Sequence, residues 1–287
     1  MNELAWLWVA RHGQSAGNVA AQRAEAAGAE TVDLPVSGAD VRLTETGRAQ
    51  AAAIGQWMAG LPDRERPQLV VSSPYRRALE TAELAVAAAA ESLGIPHVSR
   101  PTSPATGSAA GVAAGLAMGS GPGSPAGSIA PQLRVDDRLR DREQGVLDLL
   151  TRRGLAARLP EEAERKRRLG KFHYRPPGGE SWTDMAMRLR AVLDELRGER
   201  PGQRVLLVAH ESVIFLFRYI IERLSQEQML DLVGSTSLGN ASLSSWRCCD
   251  GRLRPDGFNS ADHLRVQGAP LTQQEKVAAH QSPSART

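Results

Sequence analysis

The stretch Leu4 to Asn18, LAWLWVARHGQSAGN, sets the terms for the rest of the chain. An apolar run breaks abruptly into Arg11-His12-Gly13, and an Ala-rich segment follows. A short apolar run stopped by glycine predicts a buried strand feeding a loop and then a helix. That order sets an arginine and a histidine at the C-terminal edge of a sheet, where open α/β sheets bind ligands. Backbone N–H groups at the start of the next helix face the same place and favour an anion. An imidazole beside a guanidinium at such a place points to phosphate chemistry.

The same grammar recurs downstream. Ala16 to Ala29 is expected to be helical and Thr31 to Arg42 to be loop. Thr44 is placed to cap a helix carrying Ala49, Ala52, Ala53, Ile54, Trp57 and Met58 at helical spacing before Pro62. Gln68 to Ser72 predicts a second buried strand. The helix after Ser73-Pro74 has Leu79, Ala82, Val86, Ala89 and Leu93 on its inner face and Gly94 as its stop. Leu133 to Val135 is a short candidate strand, and Pro160 to Gly170 a charged helix. Ser181 with Asp184 forms a capping signature ahead of Met185, Leu189, Val192, Leu193 and Leu196. Arg204 to Ala209, RVLLVA, predicts a third buried strand ending at His210, with a helix over Ser212 to Leu224. Leu243 to Trp246 and Arg252 to Arg254 predict a late hairpin around Asp250-Gly251. Strands alternating with helices imply an α/β fold, a mostly parallel sheet covered by helices.

Composition decides the organisation. Arg100 to Pro131 is almost wholly Pro, Gly, Ser, Ala and Thr, too poor in large apolar side chains to offset its ordering entropy. It reads as a flexible insertion at about 100–131 within one domain spanning 1–266, because chemistry-bearing residues lie on both sides of it. From Gln267 the chain is polar, and 267–287 is expected to be a disordered tail. The formal charge is only +3 and no basic, aromatic stripe is present, which argues against nucleic acid as a partner. Cys248 and Cys249 are adjacent, unsuited to an ordinary bridge or a spaced metal clip, and His97, His263 and His280 have no metal-ligand spacing. No metal or cofactor is therefore expected. No apolar run is long enough to span a membrane and no signal peptide is evident, so the expectation is a cytoplasmic protein without membrane contact.

Three apolar strands each deliver a candidate to one sheet edge: Arg11 and His12 from the first, Arg76 and Arg77 after the second, His210 from the third. A single histidine is ordinarily structural and an arginine pair at a helix start ordinarily solvated. Two histidines ending two buried strands is the informative coincidence. Arg11-His12-Gly13 with Asn18, Ser72-Ser73-Pro74 leading into Arg77-Ala78-Leu79-Glu80-Thr81-Ala82, the Leu43-Thr44-Glu45-Thr46-Gly47 segment and the strand ending in His210 together resemble the histidine phosphatase superfamily, also called phosphoglycerate mutase-like. The resemblance covers residues 4 to about 265 apart from the insertion, and it implies a three-layer α/β/α sandwich.

The resemblance also implies roles. His12 would attack phosphorus and form a phosphohistidine that water hydrolyses. Arg11 and Arg77 would grip the phosphoryl oxygens, with His210 as a further donor. Gly13 and Asn18 would belong to the phosphate loop. Arg76, outside the family register, reads as solvated or as a support. The leaving group needs a general acid, which the family often takes from a glutamate in an LxE…G pattern. Here that pattern is Leu139-Arg140-Asp141-Arg142-Glu143-Gln144-Gly145, which puts Asp141 in the glutamate's position and leaves Glu143 as a rival. A purely structural pairing of Asp141 with Arg140 or Arg142 also stays open.

Substrate choice is expected from what lies beyond the acid. Arg165, Lys166, Arg167, Arg168 and Lys171, beside Phe172, His173, Tyr174 and Arg175, are either a solvated helix face or a basic lid. Glu180 and Ser181, after Pro176-Pro177-Gly178-Gly179, either contact substrate or cap the next helix. The expected reaction is hydrolysis of a phosphomonoester of a small metabolite. A phosphoglycerate mutase and a non-catalytic phospho-ligand-binding module are the alternatives.

Overall fold

The computed structural model describes residues 3–36, 38–95 and 131–273. The insertion expected at 100–131 lies outside the described residues apart from Pro131, as does the tail beyond Gln273.

Six strands form one mixed sheet: β1 (Trp6–Arg11), β2 (Leu69–Ser72), β3 (Gln132–Val135), β4 (Arg204–Ala209), β5 (Leu243–Cys249) and β6 (Arg252–Ser260), in the spatial order β3-β2-β4-β1-β5-β6. The first four neighbours in that order run parallel, while β5 and β6 form an antiparallel hairpin on β1. The hairpin strands are longer than the sequence suggested, because β6 buries only Leu253 and carries no unbroken apolar run.

Alternation along the buried strands feeds two cores. Leu7, Val9, Val205, Leu207, Leu69 and Val71 face one side, where they meet α6 (Trp182–Glu199) and α7 (Glu211–Ile221). Trp8, Ala10, Leu206, Val208 and Val70 face the other, under α2 (Glu45–Gly60) and α3 (Arg76–Leu93). Helices on both faces of the sheet give the three layers. Each Leu or Val buried here contributes roughly 1.5–3 kcal/mol relative to exposure, so the alternation fixes which strand edge meets which helix.

Local signals end the helices where expected, with a few differences. Ser15 caps α1 (Ala16–Ala26) in a reciprocal box with Asn18, Thr44 caps α2, and Gly94 ends α3 in the left-handed region. Helix α5 (Pro160–His173) runs on past its expected end through a kink at Gly170, whose φ is 73°. The short α4 (Arg152–Arg158), α8 (Gln226–Ser235) and α9 (Asp262–Val266) were not anticipated. Helices α4 and α9 are too short to show a period, and much of α8 is polar.

The segment from Gln267 corrects a second expectation, because its first residues are held. Gln50 Nε2 donates to Pro270 O (2.7 Å) and Thr272 Oγ1 (2.9 Å), and Asn240 N donates to Thr272 O (2.9 Å). Buried polar partners, invisible in a polar sequence window, hold these residues in place.

Candidate active site

The parallel register sets Arg11, the last residue of β1, opposite Ala209, the last of β4. His12 and His210 therefore leave adjacent strands side by side, with ring centroids 5.2 Å apart. Both imidazoles are buried. Strand β2 pairs with the other edge of β4, which brings the Ser73–Arg77 turn to the same edge.

His12 Nδ1 lies 2.7 Å from Gly13 O, and Arg77 Nε donates to His12 Nε2 at 3.2 Å. A carbonyl can only accept, so Nδ1 carries the proton and Nε2 holds the lone pair. Burial, reinforced by Arg77, His210 and Arg11, keeps the His12 imidazole well below its ordinary pKa despite the Gly13 carbonyl, so it is neutral at pH 7. The His210 pKa is lowered to about 3, first by burial and further by Arg77, Arg11 and Arg188, against the opposing charge of Asp141. Its Nε2 meets Ser73 Oγ at 2.8 Å and its Nδ1 lies 3.5 Å from Asp141 Oδ2.

Arg77 ties the site together: beyond His12, its Nη1 donates to Gly38 O (2.7 Å) and its Nη2 to Asp141 Oδ2 (3.0 Å). Arg11 is fully buried beneath it, and its Nη1 donates to Leu238 O. Asp141 Oδ1 accepts from Ser212 Oγ (2.7 Å) and Arg142 N (2.9 Å). Burial alone would raise the Asp141 carboxyl. The neighbouring His210, the charge of Arg77 and the hydrogen bonds from Ser212 and Arg142 outweigh it and hold the carboxyl well below the usual range. Glu143 lies further out, accepting from Tyr75 Oη at 3.1 Å and pairing with Arg140. Of the two carboxylates, Asp141 is the one in contact with Arg77 and His210.

The catalytic loop is built on close backbone approach. A Cβ on Gly13 would stand 2.4 Å from Gly47 O, and one on Gly47 would stand 2.0 Å from Gln14 O. The glycines of the Arg-His-Gly and Leu-Thr-Glu-Thr-Gly segments thus press on each other. Gly13 N donates to Thr81 Oγ1 (3.1 Å), and Gln14 N to Gln50 Oε1 (2.8 Å). Asn18 spends its Oδ1 on Ser15 N (3.0 Å) and Asn240 Nδ2 (3.2 Å), which leaves its amide nitrogen as the end suited to a ligand.

Arg11, His12, Asn18, Arg77 and Asp141 line one open cleft of about 770 Å³, with Glu143 at its edge. Glu180 and Ser181 do not line it. Ser181 is 2% exposed and forms a capping box with Asp184 at the start of α6. Glu180 pairs with Arg188 (2.9 Å) and Arg140 (3.0 Å) and accepts from Glu143 N (3.3 Å). Of the two roles open to them, contacting substrate or capping the helix, neither residue takes the first: Ser181 caps α6 and Glu180 braces the Asp141 loop. The Pro-Pro-Gly-Gly turn does the same: Glu180 N donates to Glu143 O (2.9 Å) and Val146 N to Pro177 O (3.0 Å).

Arg76 pairs with the buried Glu80 at 3.0 Å and is outside the cleft. The basic run on α5 is a solvated face: Arg165 pairs with Glu162 and Arg167 with Glu164, and neither arginine lines the cleft. Ser73, Tyr75, Thr81 and Ser212 also touch the site. Ser73 and Thr81 belong to the Ser72-Ser73-Pro74 and Arg77–Ala82 segments, Tyr75 lies between them, and Ser212 follows His210 by two residues. Gln50 and Asn240 had no signal, since a buried carboxamide and an exposed one look alike in sequence. Among the described residues no group of three or more His, Cys, Asp or Glu side chains could hold a metal ion, and no helix is long and apolar enough to cross a membrane.

Residues 7–100 and 125–261 match the family described as histidine phosphatase superfamily (branch 1), and the chain belongs to it. Over 228 residues it is 28% identical to a 2,3-bisphosphoglycerate-dependent phosphoglycerate mutase 2 of Gloeobacter violaceus, covering 79% of this chain and 80% of that one. Over 92 residues it is 36% identical to a 6-phosphofructo-2-kinase/fructose-2,6-bisphosphatase of Caenorhabditis elegans, covering 31% of this chain and only 19% of that protein. A mycobacterial glucosyl-3-phosphoglycerate phosphatase, solved in complex with VO3, superposes with a TM-score of 0.59 at 26% identity, covering 90% of this chain and all of that one. The fold and the family are those of phosphatase-type enzymes that also include mutases.

Proposed function

We propose that the protein hydrolyses a phosphomonoester of a small metabolite through a phosphohistidine on His12. The observation that carries this reading is the bond from His12 Nδ1 to Gly13 O, which leaves the Nε2 lone pair directed at Arg77 in the cleft. A neutral, fixed imidazole is a competent nucleophile. Phosphorus bonds to Nε2 as the ester oxygen departs, with Arg11, Arg77, His210 and the Asn18 amide on the phosphoryl oxygens.

Asp141 supplies the proton to the leaving oxygen. It is ionised before substrate arrives, and the substrate changes that. The phosphoryl group draws Arg77 away from the carboxylate and adds negative charge beside it, so the carboxyl takes up a proton. In the second half, water attacks the phosphohistidine, Asp141 accepts the water's proton, and inorganic phosphate leaves His12 free.

Rapid quenching with a phosphomonoester, followed by mass spectrometry of the peptides, tests this directly: the phosphate should sit on His12. A phosphoryl group on another side chain, or none under turnover, would end the reading. Similarity to the Gloeobacter violaceus protein over most of both chains favours a second reading, phosphoryl return to substrate as in a mutase. Incubation with 3-phosphoglycerate and a trace of 2,3-bisphosphoglycerate separates the two, since only a mutase forms 2-phosphoglycerate rapidly.

A further inference from the structure

The cleft is far larger than a phosphoryl group, and its character changes with distance from His12. Beyond the phosphate end, one wall is the segment after α1, with Val32 and Leu34. Beside it, lining the same cleft, runs the loop after Gly145, with Leu147, Leu149 and Leu150. Backbone bonds join the two segments into one wall: Val32 N donates to Leu149 O at 2.8 Å, Thr151 N to Glu30 O at 3.1 Å, and Thr31 bridges Leu150 in antiparallel fashion. Leu149 has a φ of 59°, a left-handed conformation that a branched side chain adopts only where its surroundings enforce it. Strain of this kind concentrates at ligand clamps.

The charges are equally one-sided. Four arginines line the cleft among the described residues, and two of them, Arg11 and Arg77, are at the phosphate end. Arg140 is taken up by Asp137 (3.0 Å), Glu180 (3.0 Å) and Glu143 (3.4 Å). Arg142 points away, donating to Glu180 O (2.7 Å) and Tyr174 O (3.0 Å). The remaining ionisable groups of the outer cleft are the carboxylates Asp137, Glu143 and Asp148. A second phosphate or a carboxylate on the substrate would meet like charge, with no free cation among the described lining residues to offset it.

We infer that the substrate carries a single phosphate on an uncharged, largely apolar alcohol, whose body lies against the wall that Val32, Leu34, Leu147, Leu149 and Leu150 form together. The inference builds on the phosphatase reading and narrows it, away from phosphoglycerates and bisphosphates. Apolar burial gains about fourfold in binding for each methylene taken from water, so chain length is a direct probe.

The test compares monoesters of primary alcohols with matched leaving groups. Hexyl phosphate should exceed ethyl phosphate in kcat/KM by at least about tenfold, and should exceed 3-phosphoglycerate by as much. Equal rates for hexyl and ethyl phosphate, or a preference for 3-phosphoglycerate or fructose 1,6-bisphosphate, would overturn it. The half-buried Leu34 gives a second arm: Leu34→Arg should shift the hexyl phosphate to 3-phosphoglycerate ratio by about tenfold toward the charged ester, and an unmoved ratio in a folded variant counts against the proposal. Calorimetry with hexylphosphonate and ethylphosphonate separates this idea from the reaction itself. Tighter hexylphosphonate binding without turnover of any ester would sustain the inference while sinking the phosphatase reading. Equal binding would sink the inference alone.

Discussion

Arg77 donates through Nε to His12 Nε2 at 3.2 Å, and its other end holds Asp141. One guanidinium therefore bridges the candidate nucleophile and the candidate acid. Loading the site with a phosphoryl group must break both contacts, so substrate binding and the proton affinity of Asp141 are linked through this side chain. The consequences can be measured.

His12→Ala should reduce turnover by roughly 10³-fold or more, the scale on which removing a covalent nucleophile acts. The ring sits at a strand end and its bonds are to Gly13 O and Arg77, outside the two apolar cores, so circular dichroism and the melting temperature should change little. Near-normal rates in the purified variant would place the nucleophile elsewhere.

Asp141→Asn should act according to the leaving group. An alkyl phosphate needs its departing oxygen protonated and should slow by about 10²–10⁴-fold. p-Nitrophenyl phosphate, whose phenolate departs unaided, should slow far less. An equal loss on both substrates would assign Asp141 to holding Arg77 and His210 instead. Retention of both rates would move attention to Glu143.

Gln50→Leu should lower kcat although the residue is remote from any ligand. Its carboxamide accepts from Gln14 N and donates to Pro270 O and Thr272 Oγ1, so replacement leaves buried groups unsatisfied, at a cost of about 1–3 kcal/mol each. The expected signature is a fall in kcat larger than any change in KM, with Gln50→Glu or truncation after Gly268 moving in the same direction. Unchanged kcat in a destabilised variant would limit Gln50 to a structural part.

Stability should fall in mild acid. Burial lowers the His210 pKa to about 3 and, with weaker opposition from Ala241 and Asp262, lowers that of His263 to about 4. Above the unfolded value near 6.5 neither state binds a proton and these groups contribute nothing to the pH dependence. Between about pH 6.5 and 4 the unfolded chain binds protons that the folded one refuses, so stability declines as pH falls. At pH 5 the loss is roughly 2 kcal/mol for each ring. Urea unfolding at pH 7 and 5 should show it, and His263→Gln, away from the cleft, should flatten the slope. A steeper or unchanged slope in that variant would refute the assignment.

Short-range order in the sequence was enough to place the strands and their terminal residues. The runs ending at Arg11, Ser72 and Ala209 are apolar and bounded by breakers, so existence and boundary followed from burial alone. The caps at Ser15, Thr44 and Ser181 followed from side-chain oxygens positioned to meet free N–H groups. Gly13 and Gly47 were visible as motif letters, but their reason, two backbones in contact, was not.

What the amino-acid order determined by itself is therefore the set of elements, the arginines and histidines at their ends, and the family. Only the tertiary structure decided which ends meet: the register of β1 beside β4 set His12 against His210, and the sheet order brought Arg77 and Asp141 to them. It also took Glu180 and Ser181 out of the cleft, drew Pro270 to Gln273 onto Gln50 and Asn240, and paired Arg140 and Arg142 with oxygens of their own surroundings. The physical reason is range. Periodicity and capping are settled within about one helical turn, whereas the partner of a buried polar group is chosen by strand pairing between segments hundreds of residues apart in the chain.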